Sequence, residues 1–183
     1  MKTLSLLPSP NTPDVAKFVK NTRLELKKLD KKHKEQYSER AVCQKVGCSL
    51  THYRRLESGK KELSNIKNIY GISCSLSIPI DELIRKYMSL SDEDILRHFT
   101  IVDEYLDLFD NRILLKEARK HISESNFFKQ TIRDLAGTSG VSASHYNRIE
   151  LGGDTFKDIR FIYSVANSLD IPMYVDRKST RLN

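Results

Sequence analysis

The chain has 183 residues, 39% hydrophobic and 30% charged, with a net charge of +7. That composition argues against a disordered polyelectrolyte and suits one ordinary domain or two small ones. No apolar run approaches the roughly 20 residues of a membrane-spanning helix, and proline breaks the opening MKTLSLLPSP too early for a secretion signal, so a cytoplasmic protein is expected.

In chain order, Pro8, Pro10 and Pro13 predict an extended arm over residues 1–13. Residues 14–61 then carry net +8, residues 62–111 net −6 and residues 112–183 net +4. Two basic blocks thus flank an acidic middle, and a basic block favours a polyanion, most often nucleic acid. Ser38 supplies the hydroxyl cap of a helix that turns Val42 to a core and ends at Gly47, a residue suited to the left-handed turn after a helix. Ser49 caps the next helix, over 49–58. Its Tyr53 and Leu56 stand three apart on one face, and Gly59 ends it. Ile66, Ile69, Ile72 and Leu76 form the apolar stripe of a further helix. These elements make a first unit over 14–90.

Three cysteines, Cys43, Cys48 and Cys74, are too few and too uneven for a disulfide framework. Cys43, Cys48 and His52 match no common zinc spacing, and no metal or other cofactor is expected. Next, a helix capped by Ser91 is expected over 91–111, with Asp94 at the third position. Ile95, Phe99, Val102, Leu106, Phe109 and Ile113 recur at alternating steps of four and three, a short coiled-coil-like seam. This helix over 92–113 is expected to pack on the rest of the chain or to pair two copies as a homodimer. In an antitoxin, the acidic middle is the expected surface for a basic protein partner.

The second unit, 112–176, repeats the first. Shifting the chain by 93 aligns Gly47–Pro79 with Gly140–Pro172 without a gap, and thirteen positions match, among them His52/His145, Tyr53/Tyr146, Arg55/Arg148, Glu57/Glu150 and Gly59/Gly152. Cys43 and Cys48 meet Ala136 and Val141, so they read as small packing residues. Thr131 caps the helix matching that of Ser38, and Ser142 the helix over 142–151. No sustained period-two pattern appears, so both units are expected to be all-α. A loose tail, 177–183, closes the chain.

Two capped helices joined by a short turn at glycine have the sequence shape of a helix-turn-helix. YSERAVCQKVGCSLTHYRRLESG and QTIRDLAGTSGVSASHYNRIELG both resemble the lambda-repressor and Cro-like helix-turn-helix family. The second carries its pattern as Thr131, Leu135-Ala136, Gly140-Val141-Ser142, Ile149-Glu150 and Gly152. The first carries it as Ser38, Val42-Cys43, Gly47-Cys48-Ser49, Leu56-Glu57 and Gly59. The two units cover about three-quarters of the chain. The resemblance implies two tandem DNA-binding domains, with the helices over 49–58 and 142–151 in the major groove. It also implies that Glu57 and Glu150 brace an arginine of each unit's first helix, here Arg23 and Arg119.

With Tyr53, Leu56, Tyr146 and Ile149 turned inward, the expected DNA-facing residues are Leu50, Thr51, His52, Arg54 and Arg55. In the second unit they are Ala143, Ser144, His145, Asn147 and Arg148. Arginine pairs with guanine, asparagine with adenine, and threonine or alanine meets the thymine methyl. The helix starts at Ser38, Ser49, Thr131 and Ser142 can present backbone N–H groups to phosphate. Glu39 and Ile132 occupy the place where the family usually has glutamine, and Glu39 is expected to repel phosphate. Lys45, Lys60 and Lys61 supply attraction in the first unit, where the second has Thr138, Gly153 and Asp154. The expected function is a regulator, a repressor in the simplest case, of the kind phages and mobile elements carry. An antitoxin that binds DNA and a protein-interaction adaptor are the alternatives. No nucleophile–base, paired-carboxylate, phosphate-loop or metal spacing points to an enzyme.

Overall fold

The computed structural model describes residues 10–102, 116, 119–120, 131–153, 157–169 and 173–176. These residues are mostly helical, and the chain divides into two compact units between Ser91 and Asp92. None of the described helices is long and apolar enough to cross a membrane.

The first unit is built from five helices: α1 (Thr12–Leu29), α2 (Glu39–Val46), α3 (Leu50–Glu57), α4 (Ile66–Leu76) and α5 (Ile80–Met88), with a single 3-10 turn at Lys34–Tyr37. Each start has a local cause. The Asn11 side chain accepts from the Asp14 N–H, and Pro13 occupies the first turn, where a missing N–H costs nothing. The arm expected to run to residue 13 therefore ends earlier, at the Asn11 cap. The core collects the inner faces of all five helices: Val15 and Val19 from α1, Val42 from α2, Tyr53 and Leu56 from α3, Ile69 and Ile72 from α4, and Leu83, Ile84 and Tyr87 from α5. Full burial of each such side chain contributes about 1.5–3 kcal/mol before entropy is charged against it. The Asn11 N–H donates to the Tyr87 carbonyl at 2.7 Å, tying the start of α1 to the end of α5.

Contact between α2 and α4 is unusually close at Gly71. A Cβ there would lie 2.8 Å from the Val46 Cα, so no side chain fits without moving a backbone.

The second unit holds α6 (Asp92–His98), β1 (Phe99–Val102), α7 (Ile132–Ser139), α8 (Ala143–Glu150), α9 (Ile159–Leu169) and β2 (Met173–Asp176). Leu135, Ala136, Tyr146, Ile149, Ile159, Val165 and Leu169 are buried, the same faces as in the first unit. Ile95 of α6 is buried too, and α6 packs on α9. Positions Ala136 and Cys43 are alike in burial, which fits cysteine used as a small apolar residue.

Two expectations need correction. The helix expected over 91–111 ends at His98, and Phe99–Val102 is a strand. Thr100, Ile101 and Val102 are β-branched and lose side-chain freedom in a helix. They pair in parallel with Met173–Asp176, in the register Phe99↔Met173 to Val102↔Asp176. The seam running through Phe99 and Val102 is thus not one helix face, and a homodimer through a continuous helix over 92–113 loses its basis. The remaining seam residues, Leu106, Phe109 and Ile113, lie outside the described residues. The all-α expectation holds for the first unit, whereas the second adds this two-stranded pair.

Candidate nucleic-acid interface

In each unit a short helix, a left-handed glycine and a serine-capped second helix follow one another. Gly47 sits at φ 74°, ψ 31° and Gly140 at φ 69°, ψ 23°. The N–H groups of Cys48 and Val141 close back on the carbonyls of Cys43 and Ala136, both at 3.0 Å. Left-handed backbone is what glycine adopts at no steric cost. The turn thus ends α2 and α7 and re-aims the chain into α3 and α8. The Ser49 and Ser142 hydroxyls accept from the backbone N–H groups of His52 and His145, each at 3.2 Å.

Behind α3 lies a buried ion pair. Arg23 donates from Nε to Glu57 Oε1 at 2.6 Å and from Nη2 to Oε2 at 2.8 Å. Its Nη1 donates to the Tyr37 carbonyl at 3.2 Å. The Tyr53 hydroxyl donates to Glu57 Oε1 at 2.7 Å. Burial and the Glu57 charge push the Tyr53 phenol far above its usual range, so it stays a donor. The second unit repeats the fork: Arg119 donates from Nε and Nη2 to the two Glu150 oxygens, each at 2.9 Å. Both arginine–glutamate pairings expected for the two units are present. A bidentate pair fixes a side chain in plane as well as in distance. The Tyr146 hydroxyl, buried like that of Tyr53, has no hydrogen-bond partner among the described residues.

With Tyr53, Leu56, Tyr146 and Ile149 locked inward, the outer faces are set. Thr51, Arg54, Arg55, Lys60 and Lys61 are exposed, and Leu50 is half-buried. In the second unit Ser144 and Arg148 are exposed, while Ala143, His145 and Asn147 are half-buried. Lys45 is exposed, and its counterpart Thr138 is half-buried, with its hydroxyl donating to the Leu135 carbonyl.

The two histidines are in different surroundings. His52 has Nδ1 at 3.3 Å from Lys61 Nζ and Nε2 at 3.2 Å from the Asn68 amide nitrogen. Burial and the charges of Lys61 and Arg55 lower its pKa, which favours the neutral ring at neutral pH. A neutral ring has one acceptor nitrogen, so it takes a hydrogen bond from Lys61 or from the Asn68 amide but not from both. His145 instead lies beside the Phe161 ring, centroids 5.9 Å apart, with Arg148 Nη2 3.5 Å from its Nδ1.

The helix starts differ as well. Ser38 accepts from the Ala41 N–H at 3.2 Å. Thr131 forms a full capping box: its hydroxyl accepts from the Asp134 N–H and donates to Asp134 Oδ2 at 2.6 Å, and its own N–H donates to the same carboxylate oxygen at 2.9 Å.

Glu39 is where sequence reasoning missed the local chemistry. It accepts from Arg54 Nε through Oε2 at 2.6 Å, and its Oε1 lies 3.7 Å from Arg23 Nη2. The only signal was an acidic residue opening α2 and a pair of arginines in α3. Their meeting depends on how the two helices cross.

Part of the basic block is concentrated at the end of α1 and the loop after it. Between Lys27 and Lys34 there are five lysines, and Lys28, Lys31, Lys32 and Lys34 are exposed. Lys27 and Lys28 sit in the last turn of α1, where the helix dipole favours cations. Among the described residues no three of His, Cys, Asp or Glu come together as a metal-ligand group. No protein-family model, no curated protein and no solved structure matches the chain.

Proposed function

We propose that the protein is a sequence-specific double-stranded DNA-binding transcriptional regulator, a repressor in the simplest case, with two helix-turn-helix domains that present α3 and α8 to major grooves. The observation that carries this reading is the same in both units. A short helix is fixed by core residues on one face and by an arginine–glutamate fork at its end. Its other face offers Thr51, Arg54 and Arg55, or Ser144, Asn147 and Arg148. Those groups match the hydrogen-bonding edges of bases and the oxygens of phosphate. A helix is narrow enough to enter the major groove, and a rigid one loses little freedom on entry.

Exposed Lys45, Lys60, Lys61 and the Lys27–Lys34 cluster add phosphate attraction to the first unit. The second unit has Thr138, Gly153 and Asp154 at the positions of Lys45, Lys60 and Lys61. The first unit therefore supplies most of the affinity in this reading, and the second contributes chiefly to selectivity.

Selection of bound duplexes from a random pool by the full chain tests the reading. A recurrent motif is expected, with an affinity that falls by about 0.9 log units per log unit of salt for each phosphate contact. Replacing Lys60 and Lys61 by alanine is expected to lower that slope by about two. No motif, together with a slope near zero, would replace this reading with the protein-adaptor one.

A further inference from the structure

Four side chains of the first unit form a line of alternating charge from the core to the surface. Glu57 is buried, and Arg23 grips it by two hydrogen bonds. Arg23 Nη2 faces Glu39 Oε1 at 3.7 Å, and Glu39 Oε2 accepts from Arg54 Nε at 2.6 Å. Exposure rises outward along the line. The side chains of Arg23 and Glu57 are 6% and 4% exposed, that of Glu39 33% and that of Arg54 62%. The two inner members are fixed by the core, so Glu39 is held from behind, and Arg54 is held by Glu39.

From this arrangement we infer that Glu39 is a positioning residue for Arg54, and that the pair makes the first unit select a guanine which the second unit does not select. This rests on the DNA-binding reading above and deepens it.

The chemistry follows from which donor is used. A guanidinium has five N–H donors in one plane. The contact to Glu39 occupies Nε–H and leaves the two terminal nitrogens as a forward-facing edge. That edge matches O6 and N7 of guanine in two parallel hydrogen bonds. Fixing Nε also fixes the plane of the group, so an otherwise flexible side chain loses less freedom on binding. Glu39 stands at the first residue of α2, where the helix dipole favours its charge.

Thr51, Arg54 and Arg55 recur at helical spacing on the exposed face of α3, so Arg54 lies on the face proposed to meet DNA. In the second unit the matching positions are Ile132 and Asn147. Neither position carries a carboxylate or a guanidinium.

The competing role for Glu39 is masking, in which the carboxylate cancels Arg54 and weakens every DNA contact alike. The two roles predict opposite changes in selectivity. The experiment uses the full chain and duplexes from the selected motif. Each duplex has one base pair of the first unit's half-site changed, and competition binding is read as a ratio. Wild type is expected to prefer guanine at one position by about tenfold or more. Arg54→Ala and Arg54→Lys both reduce the ratio to near one, the lysine variant because it keeps the charge but lacks the fork.

Glu39→Ala is expected to cut the ratio to about threefold or less while binding to random DNA holds or strengthens. Glu39→Gln, whose amide oxygen still accepts from Nε, retains most of the ratio. The double variant Glu39→Ala with Arg54→Ala is no less selective than Arg54→Ala alone. Melting curves check each variant, and where Glu39→Ala fails to fold, Glu39→Met keeps the bulk without the acceptor and takes its place. An unchanged guanine ratio in the Glu39 variants, or tighter binding to all sequences at an unchanged ratio, overturns the proposal and leaves the regulator reading standing. The absence of any motif in wild type overturns both.

Discussion

The two units share a skeleton and differ in what surrounds it. Tyr53 and Tyr146, Leu56 and Ile149, and the two arginine–glutamate forks occupy the same places. The glycine turns and serine caps are shared too, whereas several contacts around them differ. The Tyr53 hydroxyl reaches Glu57, whereas that of Tyr146 has no partner among the described residues. His52 lies against Lys61 and Asn68, and its counterpart lies against Phe161 at the position of Asn68. Gly71 meets Val46 in the first unit. The matching residues in the second are Ser164 and Ser139, and Ser164 donates to the Thr138 carbonyl at 3.2 Å. Groups that set the direction of a helix are thus retained, while groups that set its surface chemistry diverge. In the DNA-binding reading proposed above, two copies of one scaffold would in this way carry two different specificities.

The largest expected difference lies in the fork. Arg23→Ala strands a buried Glu57 carboxylate and should cost the first unit about 3–5 kcal/mol. Arg119→Ala should cost the second unit less: Glu150 is as buried as Glu57, but Arg119 is 24% exposed against 6% for Arg23, so its removal opens the carboxylate to water. Denaturant-dependent hydrogen exchange, read separately on amides of α3 and α8, measures both losses in the full chain. Equal losses would show that burial does not distinguish the forks.

Next in size is the helix contact at Gly71. Gly71→Ser forces a Cβ to within 2.8 Å of the Val46 Cα and 3.1 Å of its Cγ1. The expected cost is about 1–3 kcal/mol. Adding Val46→Ser removes the Cγ1 contact but not the backbone one, so recovery should be partial. Full recovery in thermal melts would mean that side-chain volume, rather than helix separation, distinguishes the units here.

The smallest effect is an acid dependence confined to the second unit. Hydrogen bonds from the Thr131 hydroxyl and N–H hold the Asp134 carboxyl below its ordinary pKa. A group depressed in the folded state contributes stability above its unfolded pKa, about 3.9, and loses it as pH falls through the folded value. Amide protection at the start of α7 should therefore weaken on acidification below about pH 4. Asp134→Asn should remove that dependence. The start of α2, with Ala41 at the matching position, should show none of this kind. An acid dependence at the start of α7 that survives Asp134→Asn would contradict the comparison.

Much of this was legible from residue order, because its causes are local. A hydroxyl before a helix, a glycine after it and apolar residues three or four apart act within one or two turns. They located α2, α3, α7 and α8 to within a residue or two and assigned their inner faces. The two forks were anticipated only through the resemblance to the helix-turn-helix family, not from residue order itself. What order alone could not supply depends on partners far along the chain. Phe99–Val102 kept a helical spacing but paired with Met173–Asp176, since a strand's hydrogen bonds need a neighbour that no local pattern names. Glu39 read as a repellent charge until the crossing of α2 and α3 placed it between two arginines. Nothing in the residues around Gly71 names Val46, 25 positions earlier, as the neighbour that leaves no room for a side chain. Local energetics determined where each helix begins, ends and turns its apolar side. Only the tertiary structure decided which charges meet and which surfaces close, because those depend on distances between segments that sequence spacing does not encode.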